Sequence, residues 1–216
     1  LFRSGPMMAR NGEINLTING TSAHGAQPHQ GHDAILAAAA IIQGLHSIIS
    51  RNISPLSAGV ITFGKIHGGD AENIIPGKVV LKGTMRAFED EVYETMTRRI
   101  TTVAQEIAKG YDCTADVEFE HLYRVVDNDP EMVEVLEKVV GESYRETPPY
   151  MLAEDFSMYQ KEIPGVFFFV GTRNEEKGYV HPLHSSKMNF DEKNLLQGIE
   201  CYVRLIEALN EPTDKE

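Results

Sequence analysis

Apolar and polar positions alternate strictly over residues 13–19, with Ile14, Leu16 and Ile18 on one side. A period of two predicts a half-buried strand. From residue 34 to about 49 the period lengthens. Ile35, Ala38, Ile41, Ile42, Leu45, Ile48 and Ile49 recur at three- and four-residue steps, which predicts a helix. Asp33 stands where an N-cap belongs. Residues 56–66 read as a strand centred on Val60, Ile61 and Phe63. Residues 79–88 read as another, with Val79, Leu81, Met85 and Ala87 on one face and Lys82, Thr84 and Arg86 on the other. A second helix is expected over 90–109 on the stripe Val92, Met96, Ile100, Val103 and Ile107, then a fourth strand through Ala115, Val117 and Phe119. The order β-α-β-β-α-β predicts a ferredoxin-like, split βαβ domain over residues 11–122, an antiparallel sheet with two helices on one face. Two polar loops interrupt it, at residues 22–34 and 68–76.

The remainder has a different texture. Asp129-Pro130 opens a helix running to about Gly141, with Met132, Val135, Leu136 and Val139 inward. Ala-Glu-Asp-Phe-Ser at 153–157 opens a short one. Val-Phe-Phe-Phe-Val at 166–170, between Gly165 and Gly171, reads as a strand buried on both faces, as in an α/β sheet. A closing helix is expected over about 191–209. Residues 123–216 therefore read as the C-terminal part of a larger α/β domain. Residues 1–10 read as the end of an earlier part and a linker, because the chain opens Leu-Phe-Arg-Ser-Gly-Pro like the interior of a longer protein.

Composition narrows the partners. A net charge of −12 argues against a nucleic-acid backbone and against an anionic membrane surface. An RNA-binding ferredoxin-like domain would also want aromatics on its central strands and a basic face. No apolar run approaches the length of a membrane span. The two cysteines, Cys113 and Cys201, make no disulfide framework and fit a reducing cytoplasm, both as core residues.

Candidate chemistry falls in three places. The first loop holds His24, His29 and His32 within nine residues. Their spacing is no recognised metal pattern, and no acidic or cysteine ligand is interleaved. A single histidine donating to a developing oxyanion is easier to build; a polar loop leading into a capped helix is the plain alternative. Second, Asn73 lies in Glu-Asn-Ile-Ile-Pro, and Arg86 on the polar face of its strand. A guanidinium there suits a carboxylate, or is simply a solvated strand arginine. Third, His184 in Pro-Leu-His-Ser-Ser follows the buried strand, with Glu154 and Asp155 in an upstream loop, an arrangement a metal site could use. Neither a Gly-x-Gly-x-x-Gly turn nor a Gly-x-Ser-x-Gly elbow occurs.

Six motifs in order strongly resemble the dinuclear metal amidohydrolases of the aminoacylase and carboxypeptidase G type: Gly-Pro-Met-Met-Ala, Ala-His-Gly-Ala-x-Pro-His-x-Gly-x-Asp-Ala, Glu-Asn-Ile-Ile-Pro, Gly-Thr-Met-Arg-Ala-Phe, Ala-Glu-Asp-Phe-Ser and Pro-Leu-His-Ser. The branch they most resemble is that of hippurate hydrolase and the auxin-conjugate hydrolases. The resemblance implies an α/β catalytic domain with two divalent ions, zinc or manganese, and an inserted lid at 11–122 through which two copies dimerise. It implies hydrolysis of the amide bond of N-acyl amino acids. His184 would be the last metal ligand and Glu154 a residue supporting the ligands. His24 would reach the partner subunit's site and stabilise the oxyanion. Asn73 and Arg86 would hold the substrate carboxylate, while His29 and His32 match no role. The family's Cys-Gly-His-Asp-x-His segment, Glu-Glu pair and further histidine are absent from this chain. The chain alone is therefore expected to be inactive and to bind no metal stably. The rival reading is a non-catalytic dimerisation or ligand-binding module whose sheet edge pairs with a second copy.

Overall fold

A computed structural model describes residues 1–210. Its elements are β1 (Gly5–Met8), β2 (Arg10–Asn19), β3 (Ala23–His24), α1 (Ala34–Asn52), β4 (Gly59–Gly68), β5 (Ile74–Ile75), β6 (Lys78–Ala87) and α2 (Asp90–Lys109). After these come β7 (Thr114–His121), β8 (Val126–Asn128), α3 (Pro130–Val140), α4 (Phe156–Gln160) and α5 (Lys193–Asn210). The chain divides into two compact units, one made of residues 8–126 and 150–158, the other of 1–7, 127–149 and the described residues from 159 on.

In the first unit four antiparallel strands run in the order β4-β6-β2-β7, the split βαβ arrangement. Register follows the period-two pattern. Leu16 stands opposite Leu81 on one side and Val117 on the other, so the apolar faces coincide. Under that face lie Ala34, Ala37, Ala38, Ile41, Leu45 and Ile48 of α1 and Val92, Tyr93, Met96, Ile100 and Ala104 of α2. By length and composition α1, at 19 residues and a hydropathy of 1.4, could cross a membrane, contrary to the expectation that no run is long enough. Its buried stripe packs on the sheet instead. The other sheet face is open and polar.

Asp33 caps α1 as expected, its Oδ1 accepting from the Ile35 and Leu36 amides at 2.9 and 3.0 Å. Asp33→Ala is expected to cost about 1 kcal/mol, a fall in Tm of about 2–4 °C on thermal unfolding. The strand expected from residue 56 starts at Gly59. Leu56 is 97% exposed in a turn built on Ser54, whose hydroxyl and carbonyl accept from the Leu56 and Ser57 amides. The strand also runs further, because one extra residue, Gly64, forms a bulge between Phe63 and Lys65.

In the second unit β1 and β8 pair, and α3 starts where Asp129 accepts from the Met132 amide at 3.0 Å. Residues 166–170 form no strand, against expectation. A strand needs a neighbour that offers successive backbone groups. Phe167 instead exchanges two hydrogen bonds with the Asn128 carboxamide, at 2.7 and 2.9 Å, and Phe169 two with Leu1, at 2.9 and 2.8 Å. The segment is half-buried as far as Phe169 and is part of no strand. Only Leu205 of α5 is buried, while Leu196, Ile199, Tyr202 and Ile206 are 59–68% exposed.

Candidate functional site

The two polar loops of the first unit meet. β3 pairs with β5, His24 standing opposite Ile74 and Ala23 opposite Ile75, and the Gly25 amide donates to the Asn73 carbonyl at 2.7 Å. A side chain at Gly25 would put its Cβ 3.0 Å from that carbonyl oxygen, so the approach suits glycine. The base of the histidine loop closes where Thr21 and His32 exchange two backbone hydrogen bonds at 3.0 Å. That closure passes so close to Gly20 that a Cβ there would lie 2.2 Å from the His32 carbonyl oxygen.

His24 is exposed, and its ring is oriented from within the loop. The Ala26 amide donates to its Nδ1 at 3.0 Å. A backbone N–H can only donate, so Nδ1 accepts and the neutral ring carries its proton on Nε2. The loop therefore presents one fixed N–H donor at an exposed position. His29 lies in the short Pro28–Gln30 turn and His32 serves through its backbone; both side chains are exposed.

Arg86 is not part of this cluster. Lys78 follows the Asn73 loop, and Arg86 lies eight positions beyond it along β6, roughly 27 Å at about 3.4 Å per residue. Its Nη1 donates to Thr84 Oγ1 at 2.7 Å, and Thr84 Oγ1 in turn donates to the Gly12 carbonyl at 3.2 Å. Among the described residues Arg86 forms no ion pair, so its fork is available to an anion. Lys65, Lys82 and Arg86 share the open face, and Asp116, Glu118 and Glu120 occupy its far strand.

Glu154 belongs to the first unit, half-buried at the foot of α4, where its carbonyl accepts from Ser157 Oγ at 3.1 Å. His184 belongs to the second. It is exposed and adopts φ +64°, a left-handed conformation uncommon for a residue with a side chain, at the end of a turn closed by Ser185 N–H donating to the Pro182 carbonyl at 3.2 Å. Among the described residues no three His, Cys, Asp or Glu side chains gather as a metal-binding group.

Sequence reasoning missed the Ala26 amide that sets the His24 tautomer and the network around Tyr93 and Asp90. The glycines at 20 and 25, flanking His24, were the available signal for close backbone approach.

Residues 11–112 match the peptidase dimerisation domain of the M20 type. The chain is 35% identical over 206 residues to thermostable carboxypeptidase 2 of Saccharolobus solfataricus, covering 94% of this chain and 52% of that protein. It is 33% identical to N-acetyldiaminopimelate deacetylase of Enterococcus faecalis, covering 96% of this chain and 55% of that one. A dinuclear metal-binding peptidase of the M20 family from Bacillus subtilis superposes with a TM-score of 0.75 at 25% identity, over 94% of this chain and 51% of the other. The chain thus spans about half the length of the curated relatives it matches. The hippurate and auxin-conjugate branch is not singled out among these relatives. Residues 11–112 thus match the M20-type peptidase dimerisation domain, in a chain similar along nearly its whole length to a thermostable carboxypeptidase, an N-acetyldiaminopimelate deacetylase and a dinuclear metal-binding peptidase of the M20 family.

Proposed function

We propose that the intact protein is a metal-dependent hydrolase of the amide bond of N-acyl amino acids, hippurate-like compounds among them, working as a homodimer through residues 11–122 in a reducing cytoplasm. The observation that carries this reading is the His24 ring, held by the Ala26 amide so that Nε2–H is the free donor. A fixed N–H at an exposed loop suits the oxyanion that forms when an amide carbonyl is attacked. Two divalent ions, zinc or manganese, would supply the activated water when bound, with His184 as one ligand and Glu154 supporting the ligand set.

The roughly 27 Å of strand between Lys78, which follows the Asn73 loop, and Arg86 bears on how the work is shared. One lid cannot offer both to one small substrate. Two-fold pairing would bring the loop of one protomer to the Arg86 side of the other, where Arg86 and Asn73 hold the carboxylate and His24 the oxyanion. The exposed apolar face of α5 is where we place the rest of the α/β domain.

Mixing tests this sharing. Intact His24→Ala and His184→Ala proteins, each inactive alone, are expected to recover about a quarter of wild-type turnover when equal amounts are unfolded and refolded together, since half the dimers regain one of two sites. No recovery with dimers formed would mean that His24 serves its own subunit or none.

A further inference from the structure

An ionic network surrounds Asp90 at the start of α2, and nothing above gives it a task. Asp90 Oδ1 accepts from Arg10 Nη1 at 2.6 Å, and Oδ2 from Arg124 Nη2 at 3.2 Å. Arg10 Nη2 reaches Glu94 Oε1 at 2.9 Å, and its guanidinium lies 3.8 Å from the centre of the Tyr93 ring. Tyr93 is fully buried, its hydroxyl 2.8 Å from His121 Nδ1. Partial burial alone would raise the Asp90 pKa. Hydrogen bonds and charge from Arg10 and Arg124 outweigh it and hold the carboxyl below the usual carboxylate range.

The position of the two arginines is informative. The chain passes between its compact units after residues 7, 126, 149 and 158. Arg10 lies two residues inside the first unit from its entry at Met8, and Arg124 two residues before its exit at Val126. The same stretches are bonded through the backbone. Asn11 N–H donates to the Tyr123 carbonyl at 3.1 Å, Leu122 N–H to the Asn11 carbonyl at 3.2 Å, and Tyr123 N–H to Asn11 Oδ1 at 3.0 Å. Ala9 N–H donates to the Leu152 carbonyl at 2.8 Å, adding a third stretch next to a crossing. An exposed ion pair is ordinarily weak. Here the Arg10 side chain is only 17% exposed, and one carboxylate engages an arginine from each connector.

We infer that Asp90 is a positioning residue. It locks the entering and leaving connectors into one stiff ribbon, and so steadies the base that carries His24 and Arg86. The catalytic consequence rests on the function proposed above; the locking does not.

Hydrogen exchange read by mass spectrometry on the intact protein tests the locking. In Asp90→Asn, peptides over residues 8–12 and 120–125 are expected to exchange about tenfold faster, while those over the middle of β2 and β6 keep their rates. Asp90→Glu is expected to stay near wild type. Turnover of an N-acyl amino acid is expected to fall about tenfold in Asp90→Asn at little-changed Tm, because misplacement by about 1 Å is enough for such losses. Unchanged exchange at the connectors, or an increase spread evenly over the domain, would overturn the inference. So would local loosening with kcat unchanged. If the wild-type protein hydrolyses no N-acyl amino acid, the functional reading fails by itself, and the exchange result still decides the role of Asp90 in the connectors.

Discussion

His184→Gly is expected to inactivate the intact protein and leave it as stable as the wild type, or more so. His184 holds φ +64°, a conformation that costs a residue with a Cβ roughly 1–2 kcal/mol. Glycine removes that strain and returns only about 0.4–1 kcal/mol of backbone entropy to the unfolded chain. Turnover is expected to fall by at least about 100-fold, the scale of losses seen even for residues that merely support metal ligands. Bound divalent metal, counted by atomic spectroscopy, is expected to drop below two ions per subunit. Held activity, or a full metal complement with lower stability, would remove His184 from the ligand set.

Gly20→Ala is expected to damage the His24 loop from its base. The new Cβ would lie 2.2 Å from the His32 carbonyl oxygen and 3.1 Å from Cys113 Sγ. The first of these neighbours is backbone, so no rotamer change relieves the clash. Either the Thr21–His32 pair opens or β2 shifts. The expected cost is about 1–3 kcal/mol, with faster exchange at the Thr21 and His32 amides. In the intact protein kcat should fall further than stability alone explains, because Ala26 and its bond to His24 ride on the same loop. Unchanged Tm and amide protection would show that the loop base is looser than these distances imply.

The split βαβ domain was readable from the chain because its strands and helices are long enough to display their periods. α2 spans Asp90–Lys109 as the stripe from Val92 to Ile107 suggests. Errors came where apolar identity was mistaken for burial. Leu56 sits in solvent, and residues 166–170 bond to the Asn128 carboxamide and to Leu1 in place of a strand ladder. The site was legible as residue types but not as an arrangement. What joins His24 to Asn73 is a pairing of two residues against two, too short for any periodicity to reveal. The tautomer of His24 depends on one backbone amide. The distance of Arg86 from both follows from register, which no motif contains.

The bulge in β4 governs the character of the open sheet face. Beyond Phe63 the pairing advances by one, so that Lys65 stands opposite Lys82 and His67 opposite Val80. With a regular ladder both would turn to the helix side of the sheet, and Ile66, which stands opposite Leu81 and is already 58% exposed, would cross to the open face. A Cβ at Gly64 would meet nothing within 4 Å, yet this residue decides which sheet face each of the residues from Lys65 to Gly68 takes. The placing of Lys65 on the face of Lys82 and Arg86 is in that sense encoded as length: it depends on the count of residues between Phe63 and Lys65, and a deletion of one there would move Lys65 and His67 to the opposite face without changing a single charge.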